Sequence, residues 1–352
     1  MSKTSSSTLS LTLPVIQSFL PTKTFSNHGE ASITSLDFDD SGQFLISAGV
    51  DKSIQLYDIH KGIHLKDIQS QKYGAHLAKF THHDKNCLYA SAPPAAENSD
   101  VDNSIRYLSL ADNQYLRYFK GHKESVTCLE VDPVHDTILS ASMDRTVKMW
   151  DLRSSSATGS IDTGAPSATV AFDPMGIIFA VAKANSASST CAVDFYDCAN
   201  CDKKPFLSSK FNMTFPVEKL SKLEFSNNGK LLLVGTNSGE DYIVDAFSGD
   251  LLASLSNGRH REDDSMASFL YPSNGSSTFT PCGRYVIAGS SRHVVYVYDV
   301  ENLRTGINRV LNPVKVIKTD QGIPKIIAFN PKLLTFASAD TTVSLWQPSV
   351  EQ

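Results

Sequence analysis

A short pattern that recurs seven times along the chain constrains the fold more than any other sequence feature. Each copy is a run of β-branched, aromatic or other apolar residues, and in most copies an Asp follows the run. Successive copies end 42 to 54 residues apart, which is close to the period of β-propeller blades. The 352 residues are therefore expected to form one closed body. The copies end at Asp58, Ser109, Asp151, Asp197, Asp245, Asp299 and Gln347.

Turn signals stand at a fixed distance before several of these endings. Gly42, Gly229 and Gly283 each precede the closing Asp of their copy by 16 residues. Glycine tolerates positive φ and the neighbouring Asp and Asn side chains bond to nearby backbone, so these clusters indicate hairpins between short strands. No helical period persists for two turns. The sequence predicts an all-β fold, a seven-bladed β-propeller in which each small sheet packs against its neighbours.

Closure of the ring requires the last repeat to be tied to the first. The seventh repeat ends soon after the strand that holds Trp346, so it lacks an outer strand, whereas residues 17–27 precede the first repeat and are strand-like. We expect residues near Phe19 to Phe25 to supply that strand. Residues 1–16 are then a flexible tail, residues 17–352 a single propeller, and deletion of residues 1–13 alone should have little effect.

Polar segments with few bulky residues interrupt the strand pattern and are expected to be mobile surface loops. They comprise residues 92–103, 154–168, 184–190, 257–265 and 272–277.

Charge and hydropathy exclude several classes of partner. The chain has 32 basic and 37 acidic residues, a net charge of −5, which argues against an electrostatic grip on nucleic acid. No apolar segment reaches the ~18–20 residues of a membrane span, and the first residues lack the apolar centre of a signal peptide. Six scattered cysteines suit a reducing compartment. These features predict a soluble intracellular protein.

The third repeat carries the most regular set of polar residues: His122, Ser140, Asp144 and Trp150. The set resembles the hydrogen-bonded tetrad of WD-repeat proteins, in which Asp orients His and Ser links His to the indole. A Ser-His-Asp hydrolase uses the same three polar residue types, but a buried network that rigidifies a blade is the simpler interpretation. We expect no catalytic residue and no cofactor.

Two groups of residues could suggest a metal site. Cys198 and Cys201 form a lone CxxC without the second pair that a zinc site needs, so we expect small buried thiols. His76, His82 and His83 have no supporting carboxylate spacing and are interpreted as turn histidines. No metal site is predicted.

Aromatic residues beside basic ones indicate a protein-interaction surface, because interfaces favour Tyr and Arg. The candidates are Lys72, Tyr73, Arg117, Tyr118 and Phe119.

Asp151 and Arg153 also belong to a box, Trp150-Asp-Leu-Arg153, that resembles the Trp-Asp-x-Arg box of WD-repeat receptors in cullin-type ubiquitin ligases. One such box is a weak signal, since Arg153 can pair locally with Asp151. A substrate receptor of a cullin-type ligase is therefore the alternative functional hypothesis.

A more specific resemblance covers nearly all of the chain. Residues 104–122 read Ser-Ile-Arg-Tyr-Leu-Ser-Leu-Ala-Asp-Asn-Gln-Tyr-Leu-Arg-Tyr-Phe-Lys-Gly-His, and residues 72–74, 172–180 and 220–235 accompany that run. Together they look like the WD-repeat subunit of COMPASS, the SET-domain histone methyltransferase complex. This chain departs from the repeat pattern in that only the third repeat has a full tetrad, and His28 precedes Gly29 rather than following it.

The resemblance implies a nuclear, non-catalytic scaffold that is monomeric outside its complexes. It implies binding to the methyltransferase upstream of its catalytic domain, in support of methylation of histone H3 at lysine four. In fungi that family also serves in the cleavage and polyadenylation factor, which implies a second role in mRNA 3′-end formation and transcription termination. Neither nucleic acid nor membrane is expected as a direct partner.

Overall fold

A computed structural model describes residues 11–349 except 94–101, 167, 186, 218, 238–239, 257–274, 291–292, 304–308 and 321. Nearly all regular structure in this part of the chain is β-strand, arranged in seven sheets. The innermost strand of each sheet contacts that of the next, and the seventh contacts the first, so the sheets close into a ring. The predicted seven-bladed propeller is confirmed. No helix of the described residues is long or apolar enough to span a membrane.

In each blade four antiparallel strands run outward from the central axis. The innermost strands are β2 (Ile33–Phe38), β6 (His76–Phe80), β10 (Val126–Val131), β14 (Thr169–Phe172), β18 (Leu220–Phe225), β22 (Ser277–Phe279) and β27 (Ile326–Phe329). The second strands are β3 (Phe44–Gly49), β7 (Asn86–Ala90), β11 (Thr137–Ser142), β15 (Ile178–Asn185), β19 (Leu231–Thr236), β23 (Tyr285–Gly289) and β28 (Phe336–Ala339).

The third strands, which end at or next to the residues that close the sequence repeats, are β4 (Ser53–Asp58), β8 (Ile105–Ser109), β12 (Thr146–Asp151), β16 (Thr190–Asp197), β20 (Glu240–Asp245), β24 (Val294–Asp299) and β29 (Val343–Pro348). The outer strands of blades 1 to 6 are β5 (Ile63–Gln69), β9 (Tyr115–Phe119), β13 (Ala157–Asp162), β17 (Leu207–Asn212), β21 (Leu251–Ser256) and β26 (Lys315–Lys318).

The outer strand of blade 7 comes from the other end of the chain. Strand β1 (Phe19–Phe25) pairs antiparallel with β29, as the repeat pattern predicted. Phe19 is fully buried, with its ring centroid 5.4 Å from that of Phe336 in blade 7. The ring centroid of Phe25 lies 4.6 Å from that of Tyr57 in blade 1. The closing strand therefore packs against both the last and the first blade.

The prediction of a flexible tail that extends to residue 16 is wrong for residues 11–16. Helix α1 (Leu13–Gln17) precedes β1, and Ile16 is fully excluded from solvent. Ile16 packs in a cluster with Tyr285 and Trp346, and Leu13 packs against the edge of that cluster. The helix is ordered because these apolar side chains cover the end of the blade 6 and 7 core. Residues 1–10 lie outside the described part.

The expectation of a loop over residues 154–168 is also wrong, because this segment contains β13, the outer strand of blade 3. The outer strand is largely exposed, so it needs no apolar alternation. Gly159 faces the Sγ of Cys201 in blade 4, where a Cβ would come within 2.3 Å of the sulfur. Within residues 184–190, β15 ends at Asn185 and β16 begins at Thr190, so the expected loop is reduced to the turn between these two strands. Most of 92–103, all of 257–265 and residues 272–274 lie outside the described residues.

The turns between first and second strands interlock around one end of the ring. Gly42 has φ +72°, and a Cβ there would lie 2.2 Å from Oδ1 of Asn330 in blade 7. Asn330 Nδ2 donates to the Gly42 carbonyl at 2.7 Å. Gly176 stands in the same relation to Asp132 in blade 3. These glycines supply both the left-handed turn and the space for the neighbouring blade.

Blade 5 has a fifth strand that the sequence did not indicate. Strand β25 (Arg309–Leu311) belongs to the connection between the third and outer strands of blade 6. It pairs in parallel with β21 of blade 5, so it ties the two blades together.

Removal of residues 1–26 is expected to lower the melting temperature by roughly 10 °C or more. The deletion strips Phe19 and Phe25 from the core and leaves β29 without its partner strand. Differential scanning calorimetry measures the change, and removal of residues 1–10 alone is the control, expected to melt close to the full chain. A full-length melting temperature for the 1–26 deletion would contradict closure by β1.

Candidate functional site

The four tetrad residues predicted in blade 3 lie together. His122 Nδ1 is 3.0 Å from Asp144 Oδ2, and His122 Nε2 is 2.7 Å from Ser140 Oγ. The indole Nε1 of Trp150 donates to Ser140 Oγ at 2.9 Å. The network joins the segment before the first strand, the second strand, the turn after it and the third strand of one blade.

This network is built for rigidity rather than hydrolysis. Ser140 and Trp150 are both fully buried, and the indole occupies the Ser140 hydroxyl, so a substrate carbonyl has no access to it. Burial lowers the pKa of His122. Burial alone would raise the pKa of Asp144, but hydrogen bonds from Thr146, the Lys123 N–H and His122 outweigh it and lower that pKa to about 2. A neutral imidazole thus lies against an ionised carboxylate.

Blade 1 holds a similar network that the sequence pattern missed. His28 Nδ1 is 3.0 Å from Asp51 and His28 Nε2 is 2.7 Å from Ser47 Oγ. The hydroxyl of Tyr57, 3.4 Å from Ser47 Oγ, stands where blade 3 has its indole. The reversed order of His28 and Gly29 concealed it. The sequence feature that could have revealed it is Asp51, which stands two residues before the third strand of blade 1, just as Asp144 stands two residues before the third strand of blade 3.

In blade 2 the Asp that precedes the third strand pairs with an arginine of that strand rather than with a histidine. Arg106 is fully buried and its Nη2 donates to Asp102 Oδ2 at 2.6 Å. Its guanidinium carbon lies 3.9 Å from the centroid of the Tyr73 ring and 5.9 Å from that of Tyr118. Ion pairing and cation–π contact together hold the buried charge. This residue was not singled out in the sequence.

Of the predicted interaction residues near blade 2, some lie at the surface and one lies in the core. Lys72 is exposed, with Nζ 4.9 Å from the Tyr73 ring. Tyr118 is 40% exposed and packs on Tyr115 with centroids 5.2 Å apart, while Arg117 is half-buried. Phe119 was wrongly expected at the surface.

Phe119 is 1% exposed, with its ring centroid 5.7 Å from that of Trp150 in blade 3. Side chains alternate along a strand, and this one points into the core between blades 2 and 3.

Arg153 is held by its own neighbour. Its Nε and Nη2 donate to Asp151 at 2.9 and 2.7 Å, and these bonds lower the pKa of Asp151 to about 2. The guanidinium is on the surface but satisfied locally, which is the local pairing that the sequence left open. The ligase hypothesis stays a prediction.

The metal candidates do not assemble. Cys198 begins a single 3-10 turn over Cys198–Asn200 and Cys201 directly follows it; both thiols are half-buried rather than buried as expected. His82 bonds to Asp40 Oδ2 and to the Asp132 carbonyl, both at 2.8 Å, whereas His76 is fully buried in an innermost strand. Across the described ranges no three His, Cys, Asp or Glu side chains are grouped to hold a metal ion.

One strongly perturbed carboxylate lies on the innermost strands. Lys79 Nζ is 3.0 Å from Glu130 and 3.8 Å from Asp37. Asp37 accepts the Phe80 N–H at 2.7 Å, and burial raises its pKa to about 6. Perturbed groups can mark active sites, but these three satisfy one another and join blades 1, 2 and 3.

Comparison with known proteins matches two segments of the chain to a repeat family and finds relatives along nearly all of the chain. The family model WD domain, G-beta repeat matches residues 19–58 and 113–151. WD repeat-containing protein 82 of Drosophila melanogaster is 36% identical over 96% of this chain and 97% of its own length.

Two fungal proteins are similar over the same extent. COMPASS component SWD2 of Saccharomyces cerevisiae is 37% identical over 96% of this chain and 98% of its own. The Set1 complex component swd2 of Schizosaccharomyces pombe is 30% identical over 96% of this chain and 99% of its own.

Asp144→Asn is expected to lower the free energy of unfolding by about 2 kcal/mol at neutral pH, because it removes the carboxylate that His122 and Thr146 bind. Since the folded pKa lies below the unfolded value, this contribution is complete above about pH 4 and is lost as the pH falls through about 2.

Urea denaturation of the unaltered protein and of Asp144→Asn, from pH 7 down to about pH 2.5, should show the difference between their free energies of unfolding becoming smaller. Asp67→Asn, at an exposed position, is the control. A difference that stays constant over the whole range would contradict the ionised tetrad.

Proposed function

Because the chain belongs to the family of WD-repeat proteins that includes COMPASS component SWD2 and the Set1 complex component swd2, we propose that it is a non-catalytic scaffold subunit of a SET-domain histone methyltransferase complex. The observation that carries the proposal is the extent of the similarity. It covers 96% of this chain and nearly all of each relative, so the complete ring is the shared unit.

The chemistry of the described residues supports a scaffold. The Ser-His-Asp set is sealed inside blade 3, and the perturbed Asp37 is paired with Lys79. A rigid closed ring offers turns at both ends and strand edges around its wall, so several partners can dock on fixed geometry.

The finer parts of the proposal follow from the family. The protein is nuclear, binds the methyltransferase upstream of its catalytic domain and supports methylation of histone H3 at lysine four. A second assembly, the cleavage and polyadenylation factor, would employ it in 3′-end formation and transcription termination. No direct contact with nucleic acid is proposed.

The first test is purification of the tagged protein from nuclei, with mass spectrometry of what accompanies it. A SET-domain methyltransferase is expected, and depletion of the protein should reduce methylation of histone H3 at lysine four. Recovery without any SET-domain enzyme would refute the methyltransferase role. Absence of polyadenylation factors alone would remove only the second assembly. A cullin adaptor that accompanies the unaltered protein and no longer accompanies the Arg153→Ala variant would favour the ligase alternative.

The blade 2 wall around Lys72, Tyr73, Arg117 and Tyr118 is proposed as one docking surface. The double variant Lys72→Glu with Arg117→Glu is expected to recover several-fold less methyltransferase, because like charges at an interface repel. Lys318→Glu with Lys332→Glu, on exposed residues of blades 6 and 7, is the matched control. Undiminished recovery with the first pair would exclude this surface.

A further inference from the structure

A second exposed surface lies at one end of the ring, over blades 4 and 5. Four of the five most exposed large apolar side chains in the described part of the chain are there: Phe247, Met175, Ile177 and Phe206, at 75, 63, 61 and 61% exposure. We call these four residues the blade 4–5 apolar patch. Interfaces are enriched in aromatic residues and Met, and clustered exposed apolar groups on soluble proteins mark binding sites.

The patch residues belong to turns at the same end of adjacent sheets. Met175 and Ile177 lie between β14 and β15, Phe206 directly before β17, and Phe247 between β20 and β21. In an antiparallel meander, the turn after the first strand and the turn after the third strand lie at one edge. All four side chains therefore occur on one face of the ring.

Packing between the blades joins the turns that carry Phe206 and Phe247. A Cβ at Gly249, two residues after Phe247, would lie 2.7 Å from Ser209 and 3.7 Å from Leu207, next to Phe206. The Phe206 ring centroid is 6.4 Å from that of buried Phe195. Phe195 in turn lies 6.3 Å from Phe225 of blade 5. Phe206 is thus at the exposed margin of the core between blades 4 and 5, and the turn that carries Phe247 packs against the strand that follows Phe206.

The turns do not require apolar residues at these positions. The backbone N–H groups of Phe247 and Ser248 donate to Asp245 Oδ1 at 2.8 and 2.9 Å. Those of Met175 and Ile177 donate to Asp173. These bonds use main-chain groups, so a polar side chain at 175, 177 or 247 would form the same turn. The apolar side chains are free to serve a partner.

The surroundings of the patch are acidic. The turns that carry it and the neighbouring turns 132–136 and 226–230 hold seven aspartates and three lysines. The aspartates are Asp132, Asp136, Asp173, Asp197, Asp202, Asp245 and Asp250, and the lysines are Lys203, Lys204 and Lys230. A partner that approaches this face meets a negative potential, which favours Lys and Arg on its side.

We propose that the blade 4–5 apolar patch binds a partner segment in which apolar anchor residues are flanked by Lys or Arg. The proposal rests on the scaffold role only in that a scaffold requires docking surfaces. It adds a second surface, distinct from the blade 2 wall, and the chemistry of its occupant.

A direct test uses two synthetic amphipathic helical peptides, one of Leu and Lys and one of Leu and Glu, each with a fluorophore. Anisotropy titration of the full chain should show binding of the Leu/Lys peptide and at least about tenfold weaker binding of the Leu/Glu peptide. Phe206→Ser with Phe247→Ser should weaken binding of the Leu/Lys peptide by about tenfold or more. Asp202→Lys with Asp250→Lys should weaken it too, and most at low salt.

The matched control is Val310→Ser with Val316→Ser, two exposed valines on the outer wall of blades 5 and 6. It should leave peptide binding unchanged, and thermal melts confirm that all variants fold. Equal binding of the two peptides, or an unaffected Phe206/Phe247 variant, overturns the proposal. Self-association that depends on Phe206 and Phe247 would assign the patch to a second copy, and tighter binding after deletion of residues 1–10 would assign it to the chain itself. Either result also overturns it.

Purification from nuclei separates the failure of this inference from that of the scaffold role. If the unaltered protein brings down a methyltransferase and the Phe206/Phe247 variant brings down the same partners in the same amounts, the inference fails alone. If the unaltered protein brings down no methyltransferase, the proposed function fails, while patch-dependent binding of the Leu/Lys peptide still supports this docking surface.

Discussion

Pairing between β1 and β29 is the interaction on which the rest of the structure depends. Phe19 pairs with Pro348 and Phe25 with Val343, so residues more than 300 positions apart in the chain become neighbours. Closing so long a loop costs conformational entropy, which the buried rings of Phe19 and Phe25 help to offset. Without this pairing blade 7 would end in an unpaired third strand and the cores beside it would meet water. The contacts between the other blades are those of a closed ring, so they depend on this pairing as well.

The sequence predicted the features that repeat. Seven closing residues, turn glycines such as Gly42 and the outer strand at Phe19–Phe25 follow from period and closure, and three of the four tetrad positions stand on regular strands or turns. The local choices were harder to predict. Phe119 was misplaced because an outer strand with mixed residues does not reveal which face is inward. β13 was taken for a loop because an exposed strand needs no apolar alternation. Helix α1 is stabilised by contacts with blades 6 and 7 that no local pattern announces.

Blades 1, 2 and 3 each link their strands through buried polar groups, but the side chains differ from blade to blade. Blade 3 links its strands through His122 and Trp150, blade 1 through His28 and Tyr57, and blade 2 through Arg106 and its tyrosines. Interior substitution is tolerated when the polar groups stay paired, so these networks say little about partners. Surface positions such as Phe247, which is 75% exposed, lie outside these networks, and the proposed docking surfaces are built from such positions.

The parallel pairing of β25 with β21 has a consequence for how the rim of the ring meets other chains. The outermost strand of a sheet presents free backbone groups onto which a foreign strand can add. On blade 5 those groups of β21 are already occupied by residues 309–311, so the edge of this sheet is the short strand β25. Blade 5 therefore offers a foreign strand an edge of three residues, whereas the outer strands of blades 1 to 4 have five to seven.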